Sequence, residues 1–578
     1  MKRYEGGPSS PWPRPATALR ESLAAYTKDD LRADLVAGAV VGVVALPLSM
    51  ALAIATGVPP QHGLYTAIVA GALIALLGGS RVQVSGPTAA FVVVLAPISA
   101  RFGAGGLLIA TLMAGVILFA MGVMRMGRFI EFVPYPVTTG FTAGIAVVIA
   151  TLQVKDLLGL TVPEMPEHFV DRVGALAEAL PTVNGPDVAI GALTLAVLVV
   201  WPRVTRKVPP ALAGLVVGTV AALVASRFLD HFDAATIASR FHYRIRGVTG
   251  AGIPPLPPLP ILPWALPGPG GRPLHLTFHV VRELMPSAFA IAVLGAIESL
   301  LSAVVADGMT GRKHDPDAEL MAQGTGNIVA PFFGGFAATG AIARTATNVR
   351  AGGRTPLAAL FHALFVLLAV VALAPLLGRL PMASLAALLL LVAWNMSEVQ
   401  HFAHVLKVAP RSDVAVLLVC FSLTVLFDMV VAVSAGVVMA ALLFMKRMAE
   451  VSTVRLVDEH PFALERPLPR GVVVYEIAGP LFFGAAQKAM TALGEVDKNV
   501  RVVLLDLRSV PALDATGLVG LESAFELLHR HGILVVLGGV QPQPLRAMAR
   551  AGWHDRKGRI AIYRTFERAV EEVRRAFE

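Results

Sequence analysis

The sequence predicts a polytopic α-helical membrane protein of about fourteen spans, followed by a small cytoplasmic α/β domain. Three observations carry that expectation. Hydrophobic residues make up 56% of the 578 positions and charged residues 15%, with a mean hydropathy of +0.70. Such values lie outside the soluble globular class. Charge-free apolar runs recur at 35–60, 102–124, 132–154, 188–202, 355–378, 380–397 and 429–445, each long enough for a span or a half-span. After Met445 the composition changes to an alternation of strand-like and helix-like patterns.

Residues 1–31 are polar, basic and Pro-rich, without the apolar core of a cleavable signal. They read as a cytoplasmic tail. Lys2, Arg3, Arg14, Arg20, Lys28 and Arg32 precede or open the first span. Further basic clusters follow at Arg125/Arg128, Arg203/Arg206/Lys207, Arg312/Lys313, Arg350/Arg354 and Lys446/Arg447. Alternating spans place all of them on the cytoplasmic side of a plasma (inner) membrane, with both termini inside. The segment 229–276 then lies outside. It carries Arg240, Arg244 and Arg246 against the charge rule, and a Pro-rich run at 253–260 that reads as a polyproline-type loop.

The net charge of +9 is accounted for by cytoplasmic loops, and no nucleic-acid motif is present. One cysteine, Cys420, excludes an internal disulfide and a Cys-based metal site; it reads as a packed residue. The His residues show no metal-ligand spacing, no Walker loop occurs, and no nucleophile–base pairing supports an enzyme. No cofactor is implied. His362, well inside an apolar run, reads equally as packed or pore-facing. Asp428, between two runs, reads as a span boundary.

The organisation is a tail (1–31), a transmembrane part (32–447), a linker (448–470) and an α/β domain (471–578). In the last, 472–477, 500–507 and 533–537 are strands, the latter two apolar enough for a buried sheet. Helical patterns cover 485–494, 517–530, 544–551 and 566–577.

Glu298 is the leading functional candidate. It stands in the apolar stretch 288–306, where a carboxylate costs about 2.5–3.5 kcal/mol on insertion. Ion coupling, proton relay, or a structural pair with Arg344 would justify it. A weak internal echo surrounds it. Pro47 precedes the break at 85–90 by about forty positions, and Glu298 precedes the break at 337–341 by about as many. Paired breaks point to inverted repeats and a midplane site. With Pro87 as a first helical residue, half-helices at 87–99 and 340–349 would bring two N-termini, each with unpaired amides and partial positive charge, to a common anion cradle. The alternative is close packing of small residues.

The segments 46–53 and 57–65, with 85–89, 295–301 and 339–348, resemble the signature of the SulP anion transporters (solute-carrier family 26). The C-terminal domain is similar to a STAS domain, including 513–518. The segments 307–314, 393–398, 423–429 and 543–552 narrow the likeness to the family's bacterial C4-dicarboxylate transporters.

That resemblance implies a seven-plus-seven inverted repeat with core and gate domains, two half-helices and a cytoplasmic STAS domain. It also implies a homodimer in the lipid bilayer. The implied function is alternating-access uptake of succinate, fumarate or aspartate with protons. It implicates Leu48, Leu52, Thr88, Ala89, Ala343 and Arg344 in substrate binding, and Glu298 and Ser302 in proton coupling. Leu48 and Ala343 offer no polar side chain, which shifts weight to backbone amides and Arg344. Thr516 occupies the place phosphorylated in regulatory STAS relatives, while Asp514 reads as a helix cap. A soluble partner of the STAS domain is also implied. The rival readings are sulfate or bicarbonate transport, with sodium coupling an option, and a membrane-anchored STAS signalling protein.

Overall fold

The computed structural model describes residues 15–576 except 129–133, 164, 167, 206–207, 230–231, 246, 269–270, 275, 428, 457–467, 483–490, 493–498 and 554–559. The chain divides into two compact units, 1–437 and 438–578.

The first unit is helical. A short α1 (Thr17–Leu23) leads to α2 (Lys28–Ala55), α3 (Pro60–Leu77), α4 (Ala89–Val123), α5 (Tyr135–Leu158), α6 (Phe169–Glu178), α7 (Gly185–Val204), α8 (Pro210–Phe228) and α9 (Ile237–Arg240). Then come α10 (Phe278–Thr310), α11 (Pro316–Val329), α12 (Ile342–Arg350), α13 (Leu357–Leu377), α14 (Met382–Ser397), α15 (Val399–Val408) and α16 (Arg411–Leu426), and the chain passes into the second unit within α17 (Met429–Val451). Among the described residues, ten helices are long and apolar enough to cross a membrane. Gly103, with φ 69° and ψ −175°, splits α4 into a half-helix and a span. Helices α11, α12 and α16 are shorter than a full span, so ten long apolar helices stand against the fourteen spans and half-spans the sequence suggested.

Local chemistry explains the elements that matter. Thr27 and Asp30 form a capping box that starts α2. A Cβ on Gly38 would lie 2.7 Å from Ala358 O, and one on Gly42 2.4 Å from the Phe365 ring. These glycines let α2 and α13 approach closely, as membrane helices do. Asp34, wholly buried, accepts from the backbone amides of Arg354 and Thr355 and from the Thr355 hydroxyl. Tyr26 also donates to Asp34; burial, reinforced by that carboxylate, pushes its phenol up to about 12, so it remains a donor.

Two short strands lie where the breaks were expected. Strand β1 (Ser85–Gly86) pairs antiparallel with β4 (Thr339–Gly340), matching Ser85 with Gly340 and Gly86 with Thr339. The helices that follow begin later than expected. Thr88, not Gly86, is the N-cap of α4, and Pro87 lies before it; α12 starts at Ile342 rather than at Gly340. A hairpin of β2 (His242–Ile245) and β3 (Val248–Ala251) was not foreseen.

The second unit holds a five-stranded sheet in the order β5-β6-β7-β8-β9: Thr453–Leu456, Val472–Ala478, Val502–Ser509, Leu534–Gly538 and Ile560–Ile562. Only β5 runs antiparallel to its neighbour. Helices α18 (Ala515–Arg530), α19 (Pro542–Arg550) and α20 (Phe566–Arg575) complete its described part. All three foreseen strands are present within two residues of their expected ends. The helix expected at 485–494 lies largely outside the described residues, as does Asp428. The segment 448–470 is more than a linker, because α17 runs to Val451 and β5 adds an edge strand to the sheet.

Candidate functional site

The site forms where α10 passes the two breaks. Thr88 makes no cap hydrogen bond to its own helix; its hydroxyl donates to Glu298 Oε2 at 2.7 Å. The next residue on α10 grips the other break. Ser299 Oγ accepts from Gly340 N at 3.1 Å and shares a 2.7 Å hydrogen bond with Thr339 Oγ1, which also donates to Gly295 O. Successive residues on a helix point about 100° apart. Glu298 and Ser299 therefore hold, from one turn of α10, the N-cap residue of the first half-helix and the strand that leads into the second.

Neither half-helix has a side-chain cap. Thr88 is turned to Glu298, and the N-cap of α12 is Ala341. The first amides of both helices are left for another acceptor, as an anion cradle requires. Their first turns flank the β1–β4 pair, so the two positive helix ends lie close together.

The expected site residues divide by position. Glu298 and Leu48 are half-buried, and Ala343 is exposed beside Ile342. Thr88, Ala89 and Leu52 are buried. Exposure continues from Glu298 along α10 through Leu301, Val305 and Gly308, whereas Leu294 and Ile291 in the other direction are sealed. On α2, Val36, Val40, Val44 and Leu48 are accessible and Leu52 is not. The accessible rows on both helices run toward the end of the bundle that carries the Asp30–Arg354 ion pair.

Arg344 differs from expectation. It is 2% exposed, so it does not extend to the surface. One guanidinium nitrogen donates to Pro87 O, while Nε and Nη1 have no hydrogen-bond partner. A Cβ on Gly86 would sit 2.6 Å from Nη1, so glycine is needed there for the close approach. Arg344 and Glu298 interact electrostatically without forming an ion pair. Ser302 is also set back: wholly buried, it donates to Thr345 Oγ1 at 3.2 Å. Thr345 also accepts from Val84 N, so Ser302 helps fix α12 against the approach to β1. His362 is fully buried with neither ring nitrogen bonded, which answers the open choice in favour of packing.

Sequence reasoning missed the scaffold behind the cradle. Glu319 on α11 accepts from Gly79 N, Ser80 N, Gln83 Nε2 and Gln323 Nε2. Gln323 also donates to Ser85 Oγ, and Asn327 pairs with both backbone groups of Ala338. One helix thus positions the approaches to both strands. The available signal was the repeat of Glu319, Gln323 and Asn327 at four-residue spacing, a polar stripe on one helix face.

In the second unit Asp514 accepts from Gly517 N at 2.7 Å and caps α18, as expected. Thr516 is exposed beside it. Among the described residues no group of acidic, His and Cys side chains could hold a metal.

The sulfate permease family profile matches residues 31–420, and the STAS domain profile matches 463–569. The chain belongs to the sulfate permease family. It is 40% identical over 535 residues to YvdB of Bacillus subtilis, provisionally named a sulfate transporter, covering 92% of this chain and 96% of that protein. It is 30% identical to the bicarbonate transporter BicA of a Picosynechococcus strain, covering 86% of each. Murine Solute Carrier 26 family member A9, an anion transporter solved in its inward-facing state, shares the fold with a TM-score of 0.81 at 19% identity, covering 99% of this chain and 96% of that one. The transmembrane domain of a cyanobacterial BicA superposes with a TM-score of 0.59 at 26% identity, over 72% of this chain and 98% of that one. The fold is that of this transporter family with a C-terminal STAS domain. These relatives carry the names of sulfate, bicarbonate and anion transporters, so the narrower C4-dicarboxylate assignment rests on sequence motifs alone.

Proposed function

We propose that the chain is a secondary active transporter that takes up a small anion with a proton carried on Glu298. The observation that carries this reading is the Thr88–Glu298 hydrogen bond, which sets a carboxylate at the uncapped N-terminus of α4. An ionised Glu298 and a bound anion compete for the same positive helix end. Protonating Glu298 removes the competition, so proton and anion load together. With the tail cytoplasmic, the accessible rows on α2 and α10 describe a site open to the inside.

The geometry supports a compact oxyanion, with sulfate first. Two helix termini supply about one positive charge between them. Arg344 adds charge from behind β1, but its burial and its bond to Pro87 O leave it poorly placed to clamp a second, distant carboxylate. C4-dicarboxylates (succinate, fumarate, aspartate) remain the second reading, favoured by the four sequence motifs. Bicarbonate is the third, favoured by the likeness to BicA. The STAS unit would modulate or assemble the transporter from the cytoplasm without lining its pathway.

Uptake by proteoliposomes tests the assignment. Sulfate, succinate and bicarbonate are offered in turn under an inward proton gradient or an inward sodium gradient. Accumulation of sulfate under the proton gradient is expected. Accumulation of succinate alone would replace the substrate, and accumulation under the sodium gradient alone would overturn the coupling.

A further inference from the structure

A space of about 410 Å³ opens between two pairs of packed helices, α4 with α10 and α5 with α16, toward the end of the bundle opposite the Asp30–Arg354 pair. Its walls are mostly apolar: Val93 and Val94 on α4, Val148 and Leu152 on α5, Ala290 on α10 and Val425 on α16. Thr424 beside them donates its hydroxyl to Cys420 O at 2.7 Å. Such walls give a small oxyanion no partner, so the space does not serve as a second substrate site.

The space has a wet end and a dry end. At the wet end Arg101 Nη2 lies 3.6 Å from Glu283 Oε1, beyond hydrogen-bond length, with the two side chains 61% and 37% exposed. Arg101 also stands over the Phe102 ring, 4.9 Å from its centroid. Arg172, in the same wall, is held by Pro166 O. At the dry end a smaller space of about 30 Å³ shares Val94 and Ala290 and continues past Val293 to Leu294. The α10 wall from Glu283 to Leu294 is about 16 Å long, which matches the hydrocarbon of one leaflet, about 15 Å. Phe289, Phe427 and Val431 at its edges are exposed, so the crevice is continuous with the apolar surface that the spans present to lipid.

We propose that this crevice holds one phospholipid with a zwitterionic, primary-ammonium headgroup, its phosphate on Arg101, its ammonium on Glu283 and one acyl chain along α10 toward Leu294. The guanidinium fork suits a phosphate. The carboxylate accepts hydrogen bonds from a primary ammonium, whereas a quaternary one has no N–H to donate. The headgroup thus replaces a loose ion pair with two charge-assisted contacts, and the tail fills an apolar space that has few polar groups. Leu294 lies about one turn from Glu298. Membrane lipid therefore becomes part of the packing that any movement of α4 and α10 against α5 and α16 must disturb.

Photo-crosslinking of the full chain in nanodiscs tests this. Phosphatidylethanolamine, phosphatidylcholine and phosphatidylglycerol, each with a diazirine midway along one acyl chain, are offered at the same minor mole fraction in phosphatidylcholine nanodiscs. Adducts are mapped by mass spectrometry. On 93–98 and 287–294, phosphatidylethanolamine is expected to give about tenfold more adducts than the other two, as one charge-assisted hydrogen bond provides. On the exposed Val199 and Val200 of α7 the three lipids should label equally. Glu283→Gln should lower phosphatidylethanolamine to the level of phosphatidylcholine in the crevice. Ser287→Phe, which fills the crevice from α10, should lower all three there and leave α7 unchanged. Equal crevice labelling by the three lipids, a preference for phosphatidylglycerol, or a phosphatidylethanolamine preference that survives Glu283→Gln would overturn the site. None of these outcomes depends on the transported anion or on Glu298.

Discussion

Replacing Glu298 by Gln isolates the coupling step. The amide is neutral, as the protonated acid is, and its oxygen can still accept from Thr88. Glu298 Oε2 lies 2.7 Å from the hydroxyl of Thr88, which occupies the N-cap position of α4 without capping it, so an anion on the first amides of α4 would stand about 6 Å from the carboxylate. At an effective dielectric of about 20, each charge on that anion is repelled by about 3 kcal/mol, so the sulfate dianion by about 6 kcal/mol, roughly ten-thousandfold in affinity. In the parent protein, binding should be tight at low pH and weaken by about that factor as Glu298 loses its proton. In Glu298→Gln it should stay tight and flat across the same range. Titration calorimetry with sulfate on purified protein from pH 5 to 9 reads both curves. A flat curve in the parent, or a sloping one in the mutant, would refute the competition between carboxylate and anion.

Other parts of the structure give further expectations. Arg344→Lys should weaken sulfate binding and Arg344→Ala should remove most of it, measured on purified protein; parent-like binding by Arg344→Ala would show that the amide termini suffice. Gly86→Ala forces the guanidinium from its seat and should cost about 1–3 kcal/mol, read as a lower Tm and a weaker anion affinity. Ser299→Ala strands the buried Gly340 amide at a cost of about 1–3 kcal/mol, and should slow transport while leaving the pH dependence of binding in place. Asp514→Ala removes the α18 cap for about 1 kcal/mol, detectable by denaturant unfolding of the full chain.

The readable part of the site was the part with a local signature. Ser85-Gly86-Pro87-Thr88 and the small residues around Thr339 announced breaks because such sequences cannot continue a membrane helix unaided. Glu298 announced itself by its cost in an apolar span. What stayed hidden depended on contacts distant in sequence. Nothing local says that Ser85 faces Gly340, or that Glu319 collects two amides and two side-chain amides from elsewhere. Helix α11, at 14 residues, was too short and too polar to register as a span. Arg344 was recognised as a charge, but its direction, toward Pro87 and against Gly86, is set by the strand pairing. In the second unit the buried strands β6, β7 and β8 were plain from their apolar runs, whereas β5 and β9, short edge strands, lacked that pattern.

The most direct test follows proton and anion together. Proteoliposomes containing the full chain and a trapped pH-sensitive dye receive external sulfate with no imposed gradient. The account predicts acidification of the lumen in step with sulfate entry, absent in Glu298→Gln. Sulfate entry with no change in luminal pH, or equal acidification in the mutant, would contradict it.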